Sequence, residues 1–248
     1  YSKPKPQPAC PTKHPNPPNP GPGNMSGAFS HARRQQVTPK TILQLCADTG
    51  SDTWPYRTDP DYEVITIGKD IGVENYTPDR PIHGIIANPV CTEFSAARYG
   101  NTFGGGTRQQ ADPEEGMFLV RECQRIITEA SPTWWALENP ATGTLRKFLG
   151  TPTYAYEPWW YGSPWTKRTA LWGHFTPPPR RYHNWDDVPQ LPIYARPGRR
   201  PSIAFLHKSA FQRIPEFRDS GMPAPATDAE LRSLCSQRFA QAFKNANP

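Results

Sequence analysis

The chain has 248 residues, a formal net charge of +6 and 32 prolines, a length that fits one domain with added segments and can close a core without staples. Its five cysteines, Cys10, Cys46, Cys91, Cys123 and Cys235, form no C-x-x-C pair, which argues against a disulfide framework or a zinc cluster. No apolar stretch is long enough to span a bilayer, so a soluble, cytoplasmic protein with no bound metal is expected.

Residues 1–24, YSKPKPQPACPTKHPNPPNPGPGN, carry almost no large aliphatic side chain and read as a disordered, proline-rich extension. TILQLCA is the first strand candidate, with DTGS as its turn; YEVITIG and PIHGIIANP are the second and third. PEEGMFLVRECQRIITEAS predicts a helix. Pro113 and Glu114 sit in its first turn, and Met117, Val120, Cys123 and Ile127 share one face. TWWALENP is a fourth strand, GTLRKFLG a short helix and RTALWGHF a further strand. Strands alternating with helices imply an α/β fold, a mostly parallel sheet with helices on both faces, and a ligand site at the carboxyl ends of the strands.

From residue 176 to residue 226 the periodicity disappears and Pro, Arg and Gly dominate, which predicts a small irregular segment, either functional or disordered. Residues 227–248 return to helical spacing, with Leu231, Leu234, Phe239 and Phe243 as core positions of a helix packing back on the sheet. The expected plan is therefore an extension over 1–24, a main domain over 25–175, a recognition segment over 176–226 and a closing helix over 227–248. RYGNTFGGGTRQQ and PPPRRYHNWDDVPQLPIYARPGRRPS mix arginine with aromatics, amides and glycines, as phosphate contact and base stacking do. A solvated loop is the other reading of each.

Three strand ends converge in such a sheet. The first closes in Asp48-Thr49-Gly50-Ser51, the third in Asn88-Pro89-Val90-Cys91 and the fourth in Glu138-Asn139-Pro140. A glycine-containing turn lets backbone approach a cofactor, while a thiol and a carboxyl group face one crevice. That pair suits attack of a thiolate on C6 of a cytosine ring, with the acid hydrogen-bonded to N3, so that C5 becomes a carbon nucleophile.

On these motifs the chain resembles the DNA cytosine-5 methyltransferases, in particular the short versions of phage and prokaryotic genomes. LQLCADTGS looks like the S-adenosylmethionine loop, NPVCTEFS like the nucleophile motif and ALENP like the Glu-Asn motif. YGSPWTKRTALWG looks like the segment that supports the target base, and LRSLCSQRFAQAFKNANP like the closing motif. The resemblance covers residues 40–248 and implies a Rossmann-like class I methyltransferase fold. It makes Cys91 the nucleophile, Glu138 the acid at the base edge and Arg168 or Lys167 a contact to the flipped cytosine. Cys46, Ala47, Asp48, Thr49, Gly50, Ser51, Asp70, Asn88 and Pro89 would line the cofactor. Thr92, Ser95, Asn139, Lys167, Arg199 and Arg200 would serve the substrate, which is double-stranded DNA with one base flipped, bound by a monomer. The loop TEFSAARYGNTFGGGTRQQ would close over the base.

The sequence departs from the family where Val90, not Pro89, directly precedes Cys91, where Asp48 stands in the cofactor loop, and where Gly68 closes the second strand. Two other classes remain open. An amino-methyltransferase would need an aromatic residue at Cys91 in NPVC, and a non-catalytic nucleic-acid-binding relative would fit the altered cofactor loop. A different donor, or a free nucleotide as substrate, is the remaining alternative. Cys46, Cys123 and Cys235 read as core thiols, His83 as packed, and the Trp134-Trp135 and Trp159-Trp160 pairs as packing. His174, His183 and His207 lack metal-ligand spacing.

Overall fold

The computed structural model describes residues 38–47, 49–94 and 112–248. The proline-rich extension, Cys10, Asp48, Ser95 and the glycine-rich loop lie outside the described residues. Six strands make one sheet: β1 (Lys40–Leu45), β2 (Tyr62–Ile67), β3 (Gly84–Ala87), β4 (Trp134–Pro140), β5 (Tyr154–Tyr156) and β6 (Thr169–His174). Their order is β2-β1-β3-β4-β6-β5. β2, β1, β3 and β4 are mutually parallel, and β6 enters antiparallel between β4 and β5. This is the expected α/β architecture, a mostly parallel sheet with helices on both faces. Sequence alternation does not reveal two of its features, the reversed direction of β6 and the existence of β5.

The strands alternate faces with a period of two, and each face is buried under helices. Leu43, Leu45, Ile85, Ala87 and Leu137 meet Val120, Cys123, Ile126 and Ile127 of α2 (Pro113–Ala130). Ile42, Ile86, Trp134, Ala136 and Leu171 meet Tyr56 of α1 (Trp54–Arg57) and Phe239 and Phe243 of the last helix. The start of α2 is fixed by Asp112, whose carboxylate accepts from the backbone N–H groups of Glu114 at 2.9 Å and Glu115 at 3.3 Å, with Pro113 in the first turn. α3 (Arg146–Leu149) follows β4.

The region after β6 has no long periodic element, yet it has a core. Short 3₁₀ turns and α4 (Pro215–Arg218) gather Ile193, Ile203, Leu206, Phe211, Ile214 and Phe217 around the fully buried Trp165. The closing segment corrects the expected single helix. It is two helices, α5 (Asp228–Ser233) and α6 (Gln237–Ala246), separated at Leu234, Cys235 and Ser236. Leu231 and Leu234 pack with the Trp165 cluster, while Phe239 and Phe243 pack on the sheet. One continuous helix could not present apolar faces to both, and the Ser236 side chain restarts the second by accepting from Phe239 N–H at 3.2 Å. Among the described residues no helix is long and apolar enough to cross a membrane.

Candidate active site

β1 neighbours both β2 and β3, so the sheet has its switch point at the carboxyl end of β1. There the chain leaves the sheet through Cys46, at φ +53°, and turns again at Gly50, at φ +70°. Among the described residues only Gln44 Oε1, 3.7 Å away, would meet a Cβ at Gly50, whose left-handed backbone is what calls for glycine. The turn is pinned from the C-terminal side. Ser51 Oγ accepts from Cys235 N–H at 2.9 Å, the Ser51 carbonyl accepts from Gln237 Nε2 at 2.8 Å, and the Thr53 hydroxyl donates to Gln44 Oε1.

β3 delivers Asn88 next to this turn, its N–H donating to the Leu45 carbonyl at 3.0 Å and its Nδ2 to Asp52 Oδ2 at 3.0 Å. Asn139, fully buried at the end of β4, donates Nδ2 to the Pro89 carbonyl at 3.1 Å. After Cys91 the chain folds back, with Phe94 N–H donating to the Cys91 carbonyl at 3.0 Å and Thr144 N–H to the Phe94 carbonyl at 2.8 Å. Phe94 is buried, so the loop bearing Cys91 is held on both sides.

These strand ends enclose one cleft of about 390 Å³. Gln44, Cys46, Thr49 and Asp52 line it from the β1 side, and Asn88 through Thr92 from β3. Glu138 and Pro140 line it from β4, Lys167 from the approach to β6, and Ala229, Arg232 and Ser233 from α5. Cys91 and Glu138 therefore open on a single space. Lys167 Nζ donates to the carbonyls of Ser233 at 2.9 Å and Leu234 at 3.0 Å, which holds its charge at the end of α5. Burial pushes the Glu138 carboxyl above the usual carboxylate range, against the charge of Lys167, and the charge of Asp52 adds to the rise. Burial also pushes Asp52 up, opposed by a hydrogen bond from the Cys235 thiol, the charge of Lys167 and the bond from Asn88.

The other expected site residues divide. Ser51 faces the C-terminal segment rather than the cleft. Ala47 and Gly50 shape the turn without lining the cleft. Asp70 is exposed beyond β2; its Oδ1 would lie 3.0 Å from a Cβ at Gly68, and the Ala47 carbonyl 3.4 Å from the same point. Of the two basic residues, Lys167 lines the cleft and Arg168 is exposed beside it. Among the described residues no group of His, Cys, Asp and Glu could hold a metal ion. Asp52, Gln44 and Arg232 were not singled out in the sequence. Asp52 lies just past the turn, but nothing in DTGSD shows that it folds back onto Asn88.

Arg199 and Arg200 are exposed and line a second cleft of about 590 Å³ with Tyr194, Arg196 and Phe205. The Arg200 guanidinium lies 4.8 Å from the ring of Trp185 and 5.3 Å from that of Trp159. Arg180 lies 3.2 Å from the ring of Trp160, and Arg196 3.8 Å from that of Phe205. The Trp159-Trp160 pair, expected to be plain packing, thus carries arginines on half-buried rings, whereas Trp134 is core.

No family model matches the chain. Over 127 residues it is 32% identical to a "Probable DNA (cytosine-5)-methyltransferase" of Frog virus 3 (isolate Goorha), a match covering 46% of this chain. The chain spans 55% of the length of that viral relative. A solved structure of a candidate DNA modification methyltransferase encoded within an E. coli prophage overlaps 54% of this chain and 46% of its own. The TM-score is 0.38 at 13% identity, too slight an overlap to carry weight for fold or function.

Proposed function

We propose that the protein methylates C5 of cytosine in DNA, using S-adenosylmethionine. The observation that carries this reading is the single cleft onto which Cys91 and Glu138 both open. Its volume lies within the roughly 300–1,000 Å³ usual for small-molecule sites. The donor set suits the cofactor, because the buried Asn88 Oδ1 at this cleft has no partner among the described residues and can accept from an ammonium or hydroxyl group. Cys46, Thr49, Asn88 and Pro89 are the residues that would hold S-adenosylmethionine, which supplies an electrophilic methyl group to C5.

The target cytosine leaves the duplex to enter the cleft, since C6 is inaccessible in the stack. Cys91 Sγ forms a bond to C6 as a thiolate, and the electrons of the C5–C6 double bond move to C5. Glu138, in its acid form, donates a hydrogen bond to N3 and relieves the charge that develops on the ring. Once C5 carries the methyl group, its proton passes to solvent water, the C5–C6 double bond re-forms and Cys91 departs as thiolate. Lys167 stands beside Glu138 as a counter-charge. Residues 176–226, with α5, would meet the DNA through Arg196, Arg199 and Arg200.

The test is incubation with isotopically labelled S-adenosylmethionine and duplex DNA, followed by nucleoside mass spectrometry. Label in 5-methyldeoxycytidine is the expected result. Label in N4-methyldeoxycytidine, or in no nucleoside at all, would reject the reading.

A further inference from the structure

Glu138 faces more than the cleft. Behind it lies a small apolar cavity lined by Ile86, Ala136, Leu171 and Phe239, and both Asp52 and Glu138 reach this cavity as well as the cleft. The two carboxyl groups thus share a water-poor wall on which two full negative charges cannot rest together. Their surroundings differ. Asp52 is held by Asn88 Nδ2, which donates to its carboxylate at 3.0 Å, and Cys235 lies on the same cavity wall. Among the described residues, Asn88 and Lys167 are the polar neighbours that favour the Glu138 anion.

The other titratable or charged groups bordering the two spaces are Cys46, Cys91, Tyr156, Lys167, Arg232 and Cys235. Tyr156 and Cys235 are both pushed far towards their neutral forms by burial. Among the described residues, Asp52 is the one other carboxyl group bordering them, and Lys167 is the anchored cation.

We propose that Asp52 is a positioning residue that keeps Glu138 in its acid form: as the better-bonded carboxylate it takes the charge of the pair and leaves the proton on Glu138, aimed at the cleft. This rests on the cytosine-methylating reading above for its purpose, but not for its test. Asp52 makes no contact with the reacting atoms; it acts through Glu138. Lys167 works in the opposite sense.

The sign follows directly. An anion beside Glu138 raises the pH at which it ionises, so removing Asp52 lowers that pH, and removing Lys167 raises it. Asp52→Asn is nearly isosteric and can still accept from Asn88, while Lys167→Gln can still donate to the carbonyls of Ser233 and Leu234.

The experiment follows the Glu138 side-chain carbon by ¹³C NMR of glutamate-labelled full-length protein against pH, with Glu138→Gln identifying the resonance. Single-turnover methylation is measured over the same pH range. The expected result is a Glu138 midpoint moved to lower pH in Asp52→Asn and to higher pH in Lys167→Gln. The alkaline limb of the rate should shift with it, falling about tenfold per pH unit beyond the midpoint. A midpoint unmoved in folded Asp52→Asn overturns the proposal. If that variant does not fold, an unmoved midpoint in Lys167→Gln overturns it. Midpoints that move as expected in a protein that methylates nothing support the electrostatic assignment and reject the cytosine-methylating reading.

Discussion

Asn139 donates its side-chain N–H to the Pro89 carbonyl at 3.1 Å, joining the end of β4 to the loop that carries Cys91. Both groups are buried, and a buried carbonyl deprived of its donor is costly. Asn139→Ala should therefore destabilise the protein by about 1–3 kcal/mol in urea unfolding. It should also slow reaction at Cys91, because the nucleophile's loop loses its tie to the strand that bears Glu138. A variant as stable and as fast as the wild type would show that this bond neither supports the fold nor places the thiol.

The four described cysteines are separated by their surroundings. Cys91 and Cys46 border the cleft, whereas Cys123 and Cys235 are buried. Cys123 is pushed well above the usual thiol range by its contact with Cys46 and by burial, and Cys235 by burial and the charge of Asp52. In the native protein iodoacetamide should label Cys91 and spare Cys123 and Cys235, as read by peptide mass spectrometry. With duplex DNA containing 5-fluorocytosine, the wild type should form a denaturation-resistant adduct on Cys91, since fluorine cannot leave as a proton does, and Cys91→Ala should form none. An equal adduct yield from Cys91→Ala would remove it as nucleophile.

The region over residues 176–226 depends on Trp165, which is fully buried among Phe211, Ile214 and Phe217 and donates its ring N–H to Glu216 Oε1 at 3.1 Å. Trp165→Ala should cost about 3–5 kcal/mol, the usual scale for emptying a large aromatic site. Limited proteolysis should then cut first between residues 176 and 226, because that region has this cluster in place of regular strands and long helices. Cleavage that begins elsewhere would show that the cluster is not what holds the segment.

The residues that make the sheet were legible because short apolar runs bounded by turns mark them: Ile42, Leu43 and Leu45 in β1, Ile85 and Ile86 in β3, Leu137 in β4. Cys91 and Glu138 were legible for a related reason, since polar groups directly after apolar runs fall at the mouth of a parallel sheet. β5 has only three residues, Tyr154–Tyr156, too few for a period. The break at Leu234, Cys235 and Ser236 was hidden because apolar spacing continues across it while the faces served change. Asp52 was hidden more deeply, as it is held by Asn88, 36 residues away, and shares a cavity with Cys235 near the end of the sequence. The aromatic seats of Arg180 and Arg200 are likewise long-range, joining residues that sequence proximity does not pair.

Those seats lead to the last prediction. Arg200 lies over Trp185 and Trp159 on an exposed surface, which leaves the edge of its guanidinium available to donate. A stacked guanidinium is held at a fixed orientation, and its in-plane N–H groups suit phosphate oxygens. Arg199 is exposed beside it on the same cleft. Replacing both with glutamine should weaken binding to duplex DNA and flatten its dependence on salt by about one unit of slope per lost phosphate contact. Arg200→Lys separates charge from orientation. Lysine keeps the charge, so the salt slope should be nearly unchanged, but it cannot stack as a plane or donate in a fork, so affinity should still fall. Fluorescence anisotropy over a range of salt concentrations measures both quantities. If Arg200→Lys binds as tightly as the wild type, the rings of Trp159 and Trp185 contribute packing alone. If the double glutamine variant keeps the full slope, these arginines lie away from the DNA, and the basic face of the segment serves something else.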